Sequence, residues 1–145
     1  MFSSNRDDIR KAYSEAWSKA QKKQPLTPLE MQIADVIQWH PEYQSMMNES
    51  ALQKEYLPGF GETNPFLHMG LHMGIREQIA TDRPQGIKKL FQKALPHFIS
   101  SHEAEHFFME ILGEVMWESQ KSQQAPSDEA YLKKIKKALK KAGIN

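Results

Sequence analysis

The chain has 145 residues, 39% of them hydrophobic and 26% charged, with 19 Lys plus Arg against 18 Asp plus Glu; this suits one core-forming globular domain and gives no bulk charge that would draw a nucleic acid. There is no cysteine, which excludes disulfides, thiolate zinc sites, iron–sulfur clusters and a cysteine nucleophile, so any metal must be held by nitrogen and oxygen. No run of about 18 apolar residues occurs, so no membrane insertion is expected.

The first segment, MFSSNRDDIRKAYSEAW, carries charges from Arg6 onward and no apolar signal core, so a cytoplasmic location is expected. The spacing of Ile9, Tyr13, Ala16, Trp17 and Ala20 predicts a helix from about Asn5 to Gln24. After a break at QPLTP, Thr27-Pro28-Leu29-Glu30 opens a second helix: Thr27 can cap, Pro28 suits the first helical position and Glu30 completes a capping box. Its apolar face, Ile33, Val36 and Ile37, ends on His40, and Pro41 stops or kinks it. Residues 41–56 read as one or two short helical turns, and 57–64 as the longest irregular stretch. Asn64-Pro65 repeats the start signal and launches a third helix to about Thr81. Further helices are expected from about Gln85 to Leu95, from about Ser100 to Gln123, and from a Ser127 cap to a stop at Gly143. No segment alternates as a strand would. The expectation is an all-α, single-domain bundle spanning residues 1–145, of about five to six helices, with a histidine-rich core and a lysine-rich last helix over about 127–142.

At about 100° per residue, His68 and His72 share an arc with Leu71, Ile75 and Ile79 and point to the core, while Met69 and Met73 lie elsewhere. Gly70 and Gly74, one turn apart, suggest a smooth strip for close approach of a neighbouring helix. On the long helix His102, His106, Met109, Gly113 and Trp117 form a stripe. It lies between an apolar arc (Ala104, Phe108, Ile111, Leu112, Val115) and an acidic arc (Glu103, Glu110, Glu114, Glu118). Only His97, beside Pro96, stands apart. A lone inward histidine is most simply a hydrogen-bonded core residue. Two H-x-x-x-H pairs plus His40 are different, because the i, i+4 spacing brings two imidazoles to one face, and burying five is costly unless they are bonded or metallated. The expected ligand set is His40, His68, His72, His102 and His106, with Glu110 one turn beyond His106 as a carboxylate ligand. Zn, Fe, Mn and Ni all fit such donors. No organic cofactor is indicated.

HEAEH at 102–106 matches the H-E-x-x-H of zinc peptidases, in which two histidines hold the metal and the glutamate activates water. The continuation FFMEILGEV supplies neither a metzincin's third ligand nor a gluzincin's later glutamate, and no strand is expected for substrate to pair with. A zincin-type protease is therefore not the reading. Ferritin-like sites need two E-x-x-H motifs, and only one is present. A hemerythrin-like inventory is closer, although its motif order differs.

The segments MFSSNRDDIRKAYSEAW, QPLTPLE, HPEY, GETNPFLHMGLHMGIREQ and HEAEHFFMEILGEVMWESQ resemble, in order and over most of the chain, a proteobacterial family catalogued only as a domain of unknown function, number 1841. The resemblance implies His40, His68, His72, His102 and His106 as family-pattern positions and brings no established activity. The last helix carries Lys133, Lys134, Lys136, Lys137, Lys140 and Lys141, without arginine or exposed aromatics. A solvated face with cations at the helix C-terminus explains them more simply than a nucleic-acid contact. The leading reading is a metal-binding helical protein, with hemerythrin-like or hydrolytic chemistry open to it if a coordination position is free. Its rival is a non-catalytic interaction module with structural or pH-sensing histidines. No enzymatic activity is assigned, and a homo-oligomer is left open.

Overall fold

The computed structural model describes residues 2–47 and 64–144, with side chains from Asp7 onward. Seven α-helices lie among the described residues: α1 (Phe2–Gln21), α2 (Pro28–Gln38), α3 (Pro41–Gln44), α4 (Pro65–Thr81), α5 (Ile87–Ala94), α6 (Ser101–Ser122) and α7 (Asp128–Lys141), with a 3₁₀ turn over Leu95–His97. No strand occurs among these residues, so the all-α class stands. The single turn of α3 takes the number of helices past the five to six expected. The irregular stretch over 57–63 and the turns expected after residue 47 lie outside the described residues. The chain divides into two compact units, Met1–Met73 and Gly74–Asn145, with the boundary inside α4.

The first unit is built on α1 against α2. Tyr13 and Ala16 of α1, Ile33, Val36 and Ile37 of α2, and Phe66 and Met69 of α4 form its buried cluster, flanked by Trp17, Tyr43, Met47 and Met73. Full burial of an Ile, Val or Met here stabilises by about 1.5–3 kcal/mol per side chain. Met69 is completely buried, contrary to the arc assigned from periodicity. α4 is apolar on more than one side, so a single hydrophobic direction does not describe it.

The start of α2 is as the sequence dictates. Thr27 is extended (φ −69°, ψ 163°); its hydroxyl accepts from the Glu30 amide at 3.1 Å, and the Glu30 carboxylate accepts from the Thr27 amide at 2.9 Å. The other Glu30 oxygen accepts from Lys19 Nζ of α1 at 2.8 Å. The Lys19 ammonium, and then the Thr27 amide, hold the Glu30 carboxyl below the usual carboxylate range. Replacing Thr27 by Ala is expected to cost about 1 kcal/mol, read as a fall of about 3–4 °C in the melting temperature; an unchanged midpoint would show that the cap is unimportant.

α4 starts at Pro65, with Asn64 Oδ1 accepting from the amides of Phe66 and Leu67 at 3.0 and 3.2 Å. The glycine strip expected on this helix is not a close-packing device. A methyl at Gly70 would meet the Tyr13 hydroxyl at an ordinary 3.9 Å, and one at Gly74 would meet nothing within 4 Å. Since both residues are helical, Gly74→Ala should stabilise the protein by about 0.5–1 kcal/mol through reduced chain entropy. A urea midpoint that fell instead would reveal a tight contact at this position.

In the second unit α7 packs on α5 and α6. Ile87, Phe91 and Ala94 of α5, Ala104, Phe108, Ile111 and Val115 of α6, and Tyr131, Ile135 and Leu139 of α7 are buried, and Phe91 meets Phe108 edge-on at 5.3 Å. α5 starts two residues later than expected because Gly86 takes a left-handed φ of 105°, which residues other than glycine rarely adopt. Ser100 and Ser127 cap α6 and α7 through bonds from the Glu103 and Ala130 amides. The Tyr131 hydroxyl donates to Gln78 at 2.8 Å, and burial pushes its pKa up to about 12. Lys134 bridges Glu118 and Glu114 at 2.7 and 3.2 Å, so the acidic arc of α6 neutralises one cation of the lysine run. The other lysines are exposed.

Candidate metal centre

His40 sits at the joint between α2 and α3. A residue before proline is kept out of the helical region, and His40 accordingly has φ −126° and ψ 74° at the cap of α3. Its imidazole is folded back into the unit and is 4% exposed. Its Nδ1 lies 2.7 Å from the Val36 carbonyl. A carbonyl can only accept, so Nδ1 carries a proton and donates it, which in a neutral ring leaves the lone pair on Nε2.

His68 and His72 come from the first half of α4, one turn apart. His72 is fully buried and His68 is half-buried. The three rings form a tight triangle: centroids are 4.9 Å apart for His40 and His68, 4.8 Å for His40 and His72, and 5.0 Å for His68 and His72, all edge-on. One nitrogen from each lies within 4.8 Å of the others. Tyr43, the third residue of α3, stacks nearly parallel on His40 at 5.1 Å and meets His68 edge-on at 5.9 Å. Burial, and secondarily Glu42, raises the Tyr43 hydroxyl above its ordinary pKa, which keeps it a neutral phenol at physiological pH.

The second unit holds the other pair. His102 is buried and His106 half-buried on α6, their rings 4.3 Å apart. Of the apolar arc drawn for this helix Ala104, Phe108, Ile111 and Val115 are buried and Leu112 is half-buried, and Glu103, Glu110, Glu114 and Glu118 of the acidic arc are exposed; on the histidine stripe Met109 is buried, but Trp117 at its far end is 60% exposed. Glu110, the carboxylate expected one turn beyond His106, therefore faces outward. Glu103, the would-be base of HEAEH, is also exposed, in the first turn of α6. The buried carboxylate of α6 is Glu105, which was not among the expected ligands. It is 5% exposed and accepts from Arg76 Nε of α4 at 3.0 and 3.2 Å. One ligand atom each of Glu105 and His102 lie within 4.8 Å of each other. The signal was present in the sequence, since Glu105 shares an i, i+3, i+7 row with Phe108 and Leu112. His97 is exposed in the 3₁₀ turn, as its separate position suggested.

The structure thus brings His40, His68 and His72 together in one unit and His102 with His106 in the other. Groups of buried histidines with a carboxylate are of the kind that can hold a metal ion. The family described as a domain of unknown function (DUF1841) matches residues 5–137. The chain belongs to that family. No curated protein and no solved structure matches it. Every histidine described above lies within the span matched to DUF1841, as do Arg76 and Glu105. No helix among the described residues is long and apolar enough to cross a membrane.

Proposed function

We propose that this DUF1841 member is a bacterial cytoplasmic metal-binding protein whose ion is held by the imidazoles of His40, His68 and His72, with His102 and His106 as a second histidine set. The observation that carries this reading is the triangle of three imidazoles whose ligand nitrogens lie within 4.8 Å of one another, together with the bond from His40 to the Val36 carbonyl. A metal-ligating histidine commonly donates its other N–H to a carbonyl or carboxylate, which fixes the tautomer and raises the basicity of the ligating nitrogen. Three neutral imidazoles suit Zn, Fe, Ni or Mn. Three protein ligands would also leave a tetrahedral ion one position for water or another small ligand, as in zinc hydrolase sites. Tyr43, whose ring stacks on His40 and meets His68 edge-on, would supply a neutral phenol next to the ligating imidazoles.

The test is elemental analysis of untagged protein, purified without chelator, beside a His68→Ala/His72→Ala variant. Near-stoichiometric metal in the parent, lost in the variant while the far-ultraviolet circular dichroism is kept, is the expected result. Protein without metal, unaffected in melting temperature by added Zn, Fe, Mn or Ni, would leave the histidines as structural or pH-responsive groups of an interaction module.

A further inference from the structure

We infer that the cleft between α5 and the C-terminal half of α7 is a docking site for an acidic, amphipathic helix of a partner protein. It lies apart from the proposed metal ligands in sequence and does not depend on them. The cleft, of about 360 Å³, is lined by Leu90 and Lys93 of α5, by Lys136, Leu139 and Lys140 of α7, and by Ile144. Its floor follows from how α7 ends. Gly143 takes a left-handed φ of 83°. Its amide donates to the Lys140 carbonyl at 3.0 Å, and the Ile144 amide donates to the Leu139 carbonyl at 2.8 Å. A helix closed in this way on a glycine folds the next apolar residue back toward its last turn. Ile144 is accordingly 5% exposed and Leu139 2%. The apolar floor is recessed, and the rim is three exposed lysines.

Helix chemistry accounts for only part of this charge. The macrodipole favours cations in a last turn, which suits Lys93 and Lys140. Lys88 and Lys89 instead stand in the first turn of α5, where the dipole disfavours them and no acid accompanies them. Lys136 and Lys140 are a like-charge i, i+4 pair, which costs helix stability. Lys134 is bridged by Glu118 and Glu114, whereas no ion pair joins Lys93, Lys136 or Lys140 to an acid among the described residues. An incoming anionic surface would relieve that repulsion. The shape of the cleft selects the partner. Lys136 and Lys140, one turn apart, match carboxylates at i, i+4 on a helix laid along α7, with Lys93 contributed by α5. The floor of Leu90, Leu139 and Ile144 takes an apolar side chain from the same helix. A flat lipid surface does not reach a floor so recessed. No arginine or aromatic side chain lines the cleft to grip a phosphate as a fork or to stack on a base.

Fluorescence anisotropy of the full-length protein with a labelled helical peptide, glutamate on one face and leucine on the other, tests this. The parent is expected to bind it roughly 10-fold more tightly than a peptide of the same composition in scrambled order, and to lose affinity as salt is raised. Lys93→Gln/Lys136→Gln/Lys140→Gln should weaken binding about 10-fold while melting as the parent does, since all three side chains are exposed. Leu90→Ser should weaken it at unchanged charge. Lys121→Gln/Lys137→Gln/Lys141→Gln removes the same charge elsewhere, Lys137 and Lys141 lining a separate cleft against α6, and should bind as the parent does. Absence of binding, equal binding of the scrambled peptide, or equal loss in both triple variants would overturn the inference. So would tighter binding to phosphatidylglycerol vesicles or to duplex DNA than to the peptide.

Discussion

Stripping the proposed metal with a chelator is expected to lower the melting temperature, and restoring it to recover the parent value. An ion that binds only the folded chain stabilises it by about 2.7 kcal/mol when its free concentration is 100 times the dissociation constant. For a chain of this length that is about 8–10 °C. Three neutral imidazoles must converge for the ion to bind, and protonation of any of them competes with it. The metal-dependent part of the stability should therefore be present at pH 7 and vanish as the pH falls toward about 5. His68→Ala/His72→Ala should melt at one temperature with or without metal. A parent whose midpoint is the same in chelator and in excess metal, at every pH from 5 to 8, would contradict the reading.

Arg76→Ala is expected to be the most damaging single substitution in the second unit. It leaves the Glu105 carboxylate, 7% exposed, without the guanidinium whose Nε lies about 3 Å from both of its oxygens. Removing one partner of a buried pair costs about 3–5 kcal/mol, whereas replacing both by apolar groups of similar size is often close to neutral. Equilibrium urea unfolding of metal-free Arg76→Ala and of Arg76→Met/Glu105→Leu separates the two effects. The single variant should be far less stable, and the double variant should return most of the way to the parent. A single variant within about 1 kcal/mol of the parent would show that solvent reaches Glu105 well enough to bear its charge alone.

Most of the helices were legible because their ends carry chemistry. Thr27-Pro28 with Glu30, Asn64-Pro65, Ser100 and Ser127 each place a cap or a proline where a helix must begin. The bend that brings His40 inward was equally readable, since Pro41 excludes its predecessor from the helical region. The i, i+4 spacing of His68 and His72 and of His102 and His106 was enough to pair their rings.

What escaped was everything decided by neighbours distant in sequence. Spacing from His106 favoured Glu110, yet its arc, shared with Glu103 and Glu114, is the solvent face. Glu105 shares a row with Phe108 and Leu112, but its pairing with Arg76 of another helix is announced by nothing local. Met69 misled because α4 has no single apolar direction. Gly70 and Gly74 misled because small residues permit close approach without requiring it. The division of the chain inside α4 leaves no mark in the sequence, since the helix runs through it without proline or a cap.

X-ray absorption at the metal edge, on protein carrying one equivalent of zinc, tests the central claim most directly. Imidazole ligation predicts first-shell nitrogen and oxygen at about 2.0–2.1 Å, with the outer-shell scattering of several imidazole rings, and loss of that pattern in His68→Ala/His72→Ala. A first shell of light atoms with no imidazole outer-shell signal, unchanged in the variant, would show that the histidines do not hold the ion.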